Sequence, residues 1–175
     1  VAKGYWQATK GLQALSPEFT DGGHAALNSK AIFEAQDKLR GEGKPSNKAG
    51  KGNVDAVFDA PGARIVEADY RMPFVHHAMM EPFAMTAHHK DGKLEVWVGL
   101  QDPLAVRKMA ADAAKLPVDS VTVHPLIMGG GFGRRFPEKC QIVAQSVQLA
   151  MQCPWPVKLI WSREEEIQHG AYRCQ

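Results

Sequence analysis

The sequence is short of cysteine, of long apolar runs and of charge of one sign. Its 175 residues include three cysteines, Cys140, Cys153 and Cys174. They form no C-x-x-C pair and no iron–sulfur ligand spacing, and an odd number argues against a disulfide framework. They read as buried or free thiols, so any iron–sulfur centre would have to sit on another chain or another segment. No stretch approaches the roughly 18 apolar residues of a spanning helix, and no secretory leader is visible. The formal net charge is only +2. That leaves neither a nucleic-acid footprint nor a polybasic membrane patch, and no nucleic-acid partner is expected. What is there is a globular composition, 45% hydrophobic and 23% charged, sufficient to bury a sizeable core. The chain opens at Val1 inside a helical pattern and closes at Gln175 just past a helix start signal. Both ends are expected to be cuts in a longer chain, which leaves the compartment open.

Apolar residues fall at helical spacing over 2–15, with Trp6, Leu12 and Leu15 as anchors. They do so again from an Asn28 or Ser29 cap to Arg40, through Ile32, Phe33, Gln36 and Leu39. Residues 41–52 are rich in Gly and Lys and almost free of apolar side chains, the composition of a flexible surface linker. From 53 onward the pattern is mixed. Strands are predicted over 63–70, 83–89 and 94–98, the last two joined by the turn Asp91-Gly92. Asp102-Pro103 opens a helix that runs to about Lys115, because Asp caps free N–H groups and Pro lacks the donor that a first helical position leaves unused. A strand over 121–128 runs into Gly129-Gly-Gly-Phe-Gly133. Pro137 and Glu138 start a helix to about Gln152, a strand covers 157–161, and Ser162-Arg-Glu-Glu165 fits a capping box. This order predicts an α+β fold, a mixed sheet with helices packed on one side. The expected division is a helical segment 1–40, the linker 41–52 and a principal domain 53–175.

The strand–glycine loop–helix unit from Val121 to Gln152 is the segment that can carry chemistry. Bare backbone lets a ligand approach closely and meet several N–H groups. A following helix presents its positive end there, and Arg134 and Arg135 add formal charge. The corner suits an anion such as phosphate, and equally it could be a tight strand-to-helix turn with no ligand. The dinucleotide fingerprint would need glycine where Arg134 stands, and the Gly-Lys-Ser/Thr of a P-loop is absent.

Met128-Gly-Gly-Gly-Phe-Gly-Arg-Arg135 resembles the cofactor loop of the xanthine oxidase family of molybdenum hydroxylases. The doubled arginine resembles its isoquinoline 1-oxidoreductase and membrane-associated aldehyde dehydrogenase branch. Tyr70-Arg-Met-Pro-Phe-Val-His-His-Ala-Met-Met-Glu-Pro82, Trp97-Val-Gly-Leu-Gln-Asp-Pro103 and Ser162-Arg-Glu-Glu-Glu-Ile167 resemble further segments of that branch in the same order. The likeness covers roughly 60–175.

The resemblance implies that 53–175 is an incomplete molybdopterin-binding domain. Gln101 would offer its side-chain amide to a ligand of the molybdenum, and an uncharged amide suits that role. Phe132 and Gly133 would lie against the metal's coordination sphere, with Gly130, Gly131 and Arg134 lining the same pocket. No residue would ligate the metal directly, and none here would be catalytic, because the family's general-base glutamate lies near the far C-terminus of the full subunit. The cofactor would be molybdopterin, as the cytosine dinucleotide in bacterial relatives, with [2Fe-2S] clusters on a small partner subunit. The other partners would be the remainder of the large subunit and a small-molecule substrate. Purine-oxidising members continue the loop with Gly-Lys-Glu where this chain has Arg134-Arg135-Phe136, so an aldehyde or N-heteroaromatic substrate fits better. The branch also implies a cell-envelope location, and the fragment alone is expected to be inactive. Taken alone, Gln101 is a strand-end side chain bonding its own backbone, and Glu81 a buried structural acceptor. Glu164, Glu165 and Glu166 read as a charged first helical turn. The pairs His76-His77 and His88-His89 cannot chelate within a strand, where neighbours face opposite ways. The rival readings are a ligand-binding or assembly module that kept the fold without the cofactor, and an enzyme using another phosphate-bearing cofactor at the same corner.

Overall fold

Two compact units divide the chain, Val1–Ser16 with Val75–Cys174, and Pro17–Phe74. The computed structural model describes residues 1–42, 51–136, 140–170 and 172. The first unit opens on helix α1, Tyr5–Leu15, which stops where Ser16 turns left-handed at φ 41°. Its expected anchors Trp6, Leu12 and Leu15 are all exposed.

The second unit holds α2, Ser29–Glu42, and the short α3, Val54–Phe58. Asn28 caps α2 by accepting the Ala31 N–H at 3.0 Å. Asn53 caps α3 through the Ala56 N–H at 3.1 Å. Phe33 stacks on Phe74 with ring centroids 5.3 Å apart. Residues 63–70, predicted as a strand, are irregular and largely exposed. Alternation makes a strand only where a neighbour takes up its backbone N–H and C=O groups, and among the described residues no strand pairs with this segment.

In the first unit β1, Ala84–Lys90, and β2, Lys93–Val98, form a hairpin in register from Met85 opposite Val98 to Lys90 opposite Lys93. Asp91 and Gly92 both have positive φ, 50° and 73°, the hand that a two-residue hairpin turn requires. Helix α4, Pro103–Ala114, starts on Asp102, whose Oδ1 accepts the N–H groups of Leu104 and Ala105 at 3.1 and 3.0 Å. Helix α4 then serves as the crossover that a parallel pair needs, and β3, Val121–Pro125, returns alongside β2 with Leu94 beside Val121. This strand was predicted to reach Met128. It ends at Pro125, which has no N–H to give the ladder. Helix α5, Ile142–Ala150, follows; the predicted helix start at Pro137 and Glu138 lies outside the described residues. Strand β4, Val157–Ile160, pairs antiparallel with β1, and α6, Arg163–Gln168, is capped by the Ser162 hydroxyl.

The sheet order is β3-β2-β1-β4. One face, with Met85, Ala87, Leu94, Val96 and Val98 buried, packs against Val106, Ala110 and Ala111 of α4 and Ile142, Val143 and Val147 of α5. The other carries Glu95, Trp97 and His124, with the Trp97 and His124 rings stacked at 4.7 Å. The mixed sheet with helices on one side is the architecture predicted. Asp102→Ala removes a cap serving two N–H groups and is expected to destabilise this unit by about 1 kcal/mol. A lower urea midpoint with unchanged slope would report that loss.

Candidate functional site

Two neighbouring parallel strands deliver the candidate residues to one end of the sheet. Beyond β2, Gly99 and Leu100 lead to Gln101, exposed just ahead of the α4 cap. Beyond β3, Leu126 makes one further bond, its N–H donating to Val98 O at 3.0 Å. The chain then passes so close to β2 that a Cβ on Gly99 would lie 3.2 Å from Met128 Cγ and 3.3 Å from Ile127 O.

The glycines that follow are required for different reasons. A Cβ on Gly129 would fall 2.5 Å from the Cβ of Glu81, a distance real atoms do not share. A Cβ on Gly131 would stand 3.3 Å from Gln101 Oε1, so the loop backbone lies directly against the Gln101 amide. Gly130 and Gly133 have φ of 90° and 88°, a region open to glycine. Phe132, between them, holds φ 50° with its ring mostly exposed. The Arg134 N–H donates to Gly131 O at 2.8 Å and closes the turn. Among the described residues nothing accepts from the N–H groups of Gly130, Gly131 or Gly133. These backbone donors are the kind that a ligand with acceptor oxygens can use.

Both arginines after the loop are fully buried. Arg134 contributes its backbone to the turn, while its Nη2 donates to His169 O at 2.7 Å, beyond α6. Arg135 donates to Gly99 O at 2.8 Å, to Glu81 O at 2.7 Å and to Glu81 Oε2 at 3.0 Å. Each guanidinium carbon lies 5.1 Å from the centre of the Phe83 ring, within cation–π range. Glu81 Oε2 also accepts the Gly129 N–H at 2.6 Å. Glu81 is thus an acceptor as predicted, but its side chain is 42% exposed rather than buried.

The sequence reading missed Glu166. It lies on α6, where the triplet of glutamates reads as a charged first turn, yet its side chain is fully buried. Oε2 accepts from Arg163 at 2.6 Å, and Oε1 stands 3.4 Å from His76 Nε2. Arg163 also donates to the carbonyls of Met79 and Met80. The available signal was the i, i+3 spacing of Arg163 and Glu166. Glu164, on the outer side, is exposed, and its own backbone N–H and the Ser162 hydroxyl hold its carboxyl below the usual range. His77, weighed in the sequence only as half of a chelating pair, stands beside the loop, its Nε2 3.8 Å from where a Cβ on Gly133 would lie. His88 and His89 lie in β1 opposite Glu95 and Leu94, and so on opposite faces of the sheet. No group of three metal-ligating side chains occurs among the described residues.

A profile of the molybdopterin cofactor-binding domain matches residues 40–175. The isoquinoline 1-oxidoreductase subunit beta of Brevundimonas diminuta is 36% identical over 122 residues, which is 69% of this chain and 15% of that protein. The membrane-bound aldehyde dehydrogenase [pyrroloquinoline-quinone] of Gluconacetobacter polyoxogenes is 31% identical over 178 residues, 99% of this chain and 22% of its own length. The crystal structure of quinoline 2-oxidoreductase from Pseudomonas putida 86 superposes with a TM-score of 0.55 at 24% identity, covering 65% of this chain and 14% of that one. That last likeness is one of fold. The chain spans only 15% to 22% of the length of these two sequence relatives. With the family profile covering most of its length and the loop geometry in place, the chain belongs to the molybdopterin cofactor-binding domain family of the molybdenum hydroxylases.

Proposed function

We propose that this chain is the part of a molybdenum hydroxylase large subunit that seats the molybdopterin cofactor at the corner where Gln101 meets the Gly129–Gly133 loop. The observation that carries this reading is the loop itself, whose glycine backbone lies against an exposed amide and leaves the N–H groups of Gly130, Gly131 and Gly133 without an acceptor among the described residues. Gln101 would place a neutral donor on the group without fixing its protonation state. Phe132 and Gly133 would face the metal side, and the backbone of Gly130, Gly131 and Arg134 would line the pocket. When bound, the group supplies oxygen transfer from water and accepts the substrate's two electrons. This chain's own share is placement and electrostatics. The parent enzyme would act on N-heteroaromatic compounds or aldehydes, and Arg134 and Arg135, turned into the fold, offer a purine nothing like the glutamate that holds it elsewhere. The general-base glutamate would come from another part of the parent, and the chain by itself would be inactive. The cofactor would carry the cytosine dinucleotide, and electrons would leave to [2Fe-2S] clusters on a small subunit. A relative named as membrane-bound supports a cell-envelope location, and no helix among the described residues is long and apolar enough to cross a membrane.

The test is elemental analysis of the full-length parent, purified with its small subunit, plus acid release of the nucleotide. Near-stoichiometric molybdenum with CMP is expected. Gln101→Ala should keep the molybdenum and lower kcat about 10- to 100-fold, the usual cost of removing a hydrogen-bond partner of a metal ligand. Absence of molybdenum, where a known hydroxylase is loaded under the same conditions, would favour a binding module without the cofactor.

A further inference from the structure

We propose that Glu81 is a positioning residue, which sets the glycine loop and the Gln101 amide through Gly129 and Arg135. The proposal builds on the cofactor reading above. Three segments distant in sequence, at Glu81, Gly99–Gln101 and Gly129–Arg135, are tied together through this carboxylate and Arg135. Its Oε2 accepts the Gly129 N–H at 2.6 Å, the first bond of the loop. The same oxygen takes Arg135 Nη2 at 3.0 Å, and the Glu81 carbonyl takes it at 2.7 Å. The other arm of that guanidinium reaches Gly99 O at 2.8 Å. The backbone of Arg135 completes the circuit, its carbonyl accepting the Gln101 N–H at 3.1 Å. Both ends of Arg135 therefore grip the segment that carries Gln101, and Glu81 holds Arg135.

The chemistry is specific to these side chains. Arg135 is fully buried, and a buried charge needs a partner. Among the described residues Glu81 is the one carboxylate in ion-pair range of it. The planar fork of arginine can hold carbonyls on two segments at once, which a lysine ammonium on a single stem cannot do in this geometry. Gly129 is bare because the Glu81 side chain fills the space of its Cβ. With the carboxylate gone, the first N–H of the loop loses its acceptor among the described residues, in a segment that has few side chains of its own to pack.

The experiment uses the full-length parent with its small subunit, with hydrogen exchange followed by mass spectrometry on peptides over 98–104 and 127–136. In Glu81→Ala the amides of these peptides should exchange at least tenfold faster, with peptides of β1 unchanged. Glu81→Gln, whose amide oxygen can still accept from Gly129, should recover most of the protection. A double-mutant cycle in turnover separates positioning from general support. Glu81→Ala should lower kcat several-fold in the native background and less than twofold beside Gln101→Ala, at equal molybdenum content. Unchanged exchange in Glu81→Ala, or an equal kcat loss in both backgrounds, would overturn the proposal. If Glu81→Ala does not accumulate, Arg135→Lys takes its place in the exchange experiment, with the same expected result and the same overturning one. A parent without molybdenum would sink the cofactor reading alone, because the exchange readout would still decide the clamp.

Discussion

Gly129→Ala is expected to leave the parent enzyme with less than about a tenth of its molybdenum and no measurable turnover. The added methyl would sit 2.5 Å from Glu81 Cβ and 2.9 Å from Oε2. Neither atom is the free end of a flexible chain. Cβ is fixed to the backbone, and Oε2 is held by Gly129 itself and by Arg135. The loop must therefore lift away, breaking the bond from its first N–H and loosening the hold on Arg135. A shift of about 1 Å at a binding site is enough to spoil a cofactor pose. Two other positions grade the effect. Gly131→Ala brings its methyl to 3.3 Å from Gln101 Oε1, a contact that a side-chain amide relieves by a small rotation, so molybdenum should be retained and kcat lowered. Gly133→Ala has room, its nearest atom being His77 Nε2 at 3.8 Å, and meets only the backbone cost of φ 88°, roughly 1–2 kcal/mol for an L residue. The expected order of molybdenum retention is Gly133→Ala at or above Gly131→Ala, with Gly129→Ala far below. Full loading of Gly129→Ala would show that the approach of Glu81 to the loop has no bearing on the cofactor.

Local chemistry was the legible part of this chain. Asp102-Pro103 at the start of α4, Asp91-Gly92 in the hairpin and Ser162 at the start of α6 each act within a few residues, and the structure uses each in that way. The side of the sheet that would be buried was also readable, because alternation in 94–98 fixes which residues share a face. What could not be read were properties that depend on distant partners. Residues 63–70 alternate as a strand does, but nothing described pairs with them. Trp6, Leu12 and Leu15 have helical spacing, but among the described residues nothing covers them and all three are exposed. Two adjacent arginines after a glycine loop read as charge offered to an anion. Their burial depends on Phe83, Glu81 and His169, which lie 51, 54 and 35 residues away from the arginine each one meets. Glu166 was hidden by its neighbours, since a run of three glutamates reads as solvated unless the partner of one is known, and His76 is ninety residues earlier.

Phe83 gives the largest expected loss of stability. Its side chain is fully buried at the entry to β1, edge-on to Trp161 with centroids 5.4 Å apart, and its carbonyl accepts the Trp161 N–H at 2.9 Å. The guanidinium carbons of Arg134 and Arg135 both lie 5.1 Å from the ring. Truncation to alanine opens a cavity worth about 3–5 kcal/mol for a buried phenylalanine. It also removes the aromatic face from two buried cations, at about 0.5–2 kcal/mol each. Against a total of about 5–15 kcal/mol for a domain, Phe83→Ala should remove most of the margin. The thermal midpoint of this unit in the full-length subunit should fall by on the order of 15 °C or more. Phe83→Leu separates the two contributions, because it keeps most of the volume and loses the face. A cost of about 2 kcal/mol is expected for it. Equal losses for the two variants would mean that the ring face over the arginines, rather than filled volume, holds the site end of the sheet together. A loss near zero for Phe83→Ala would mean that the two guanidiniums are secured without it, by hydrogen bonds such as those to Glu81 and the Gly99 and His169 carbonyls.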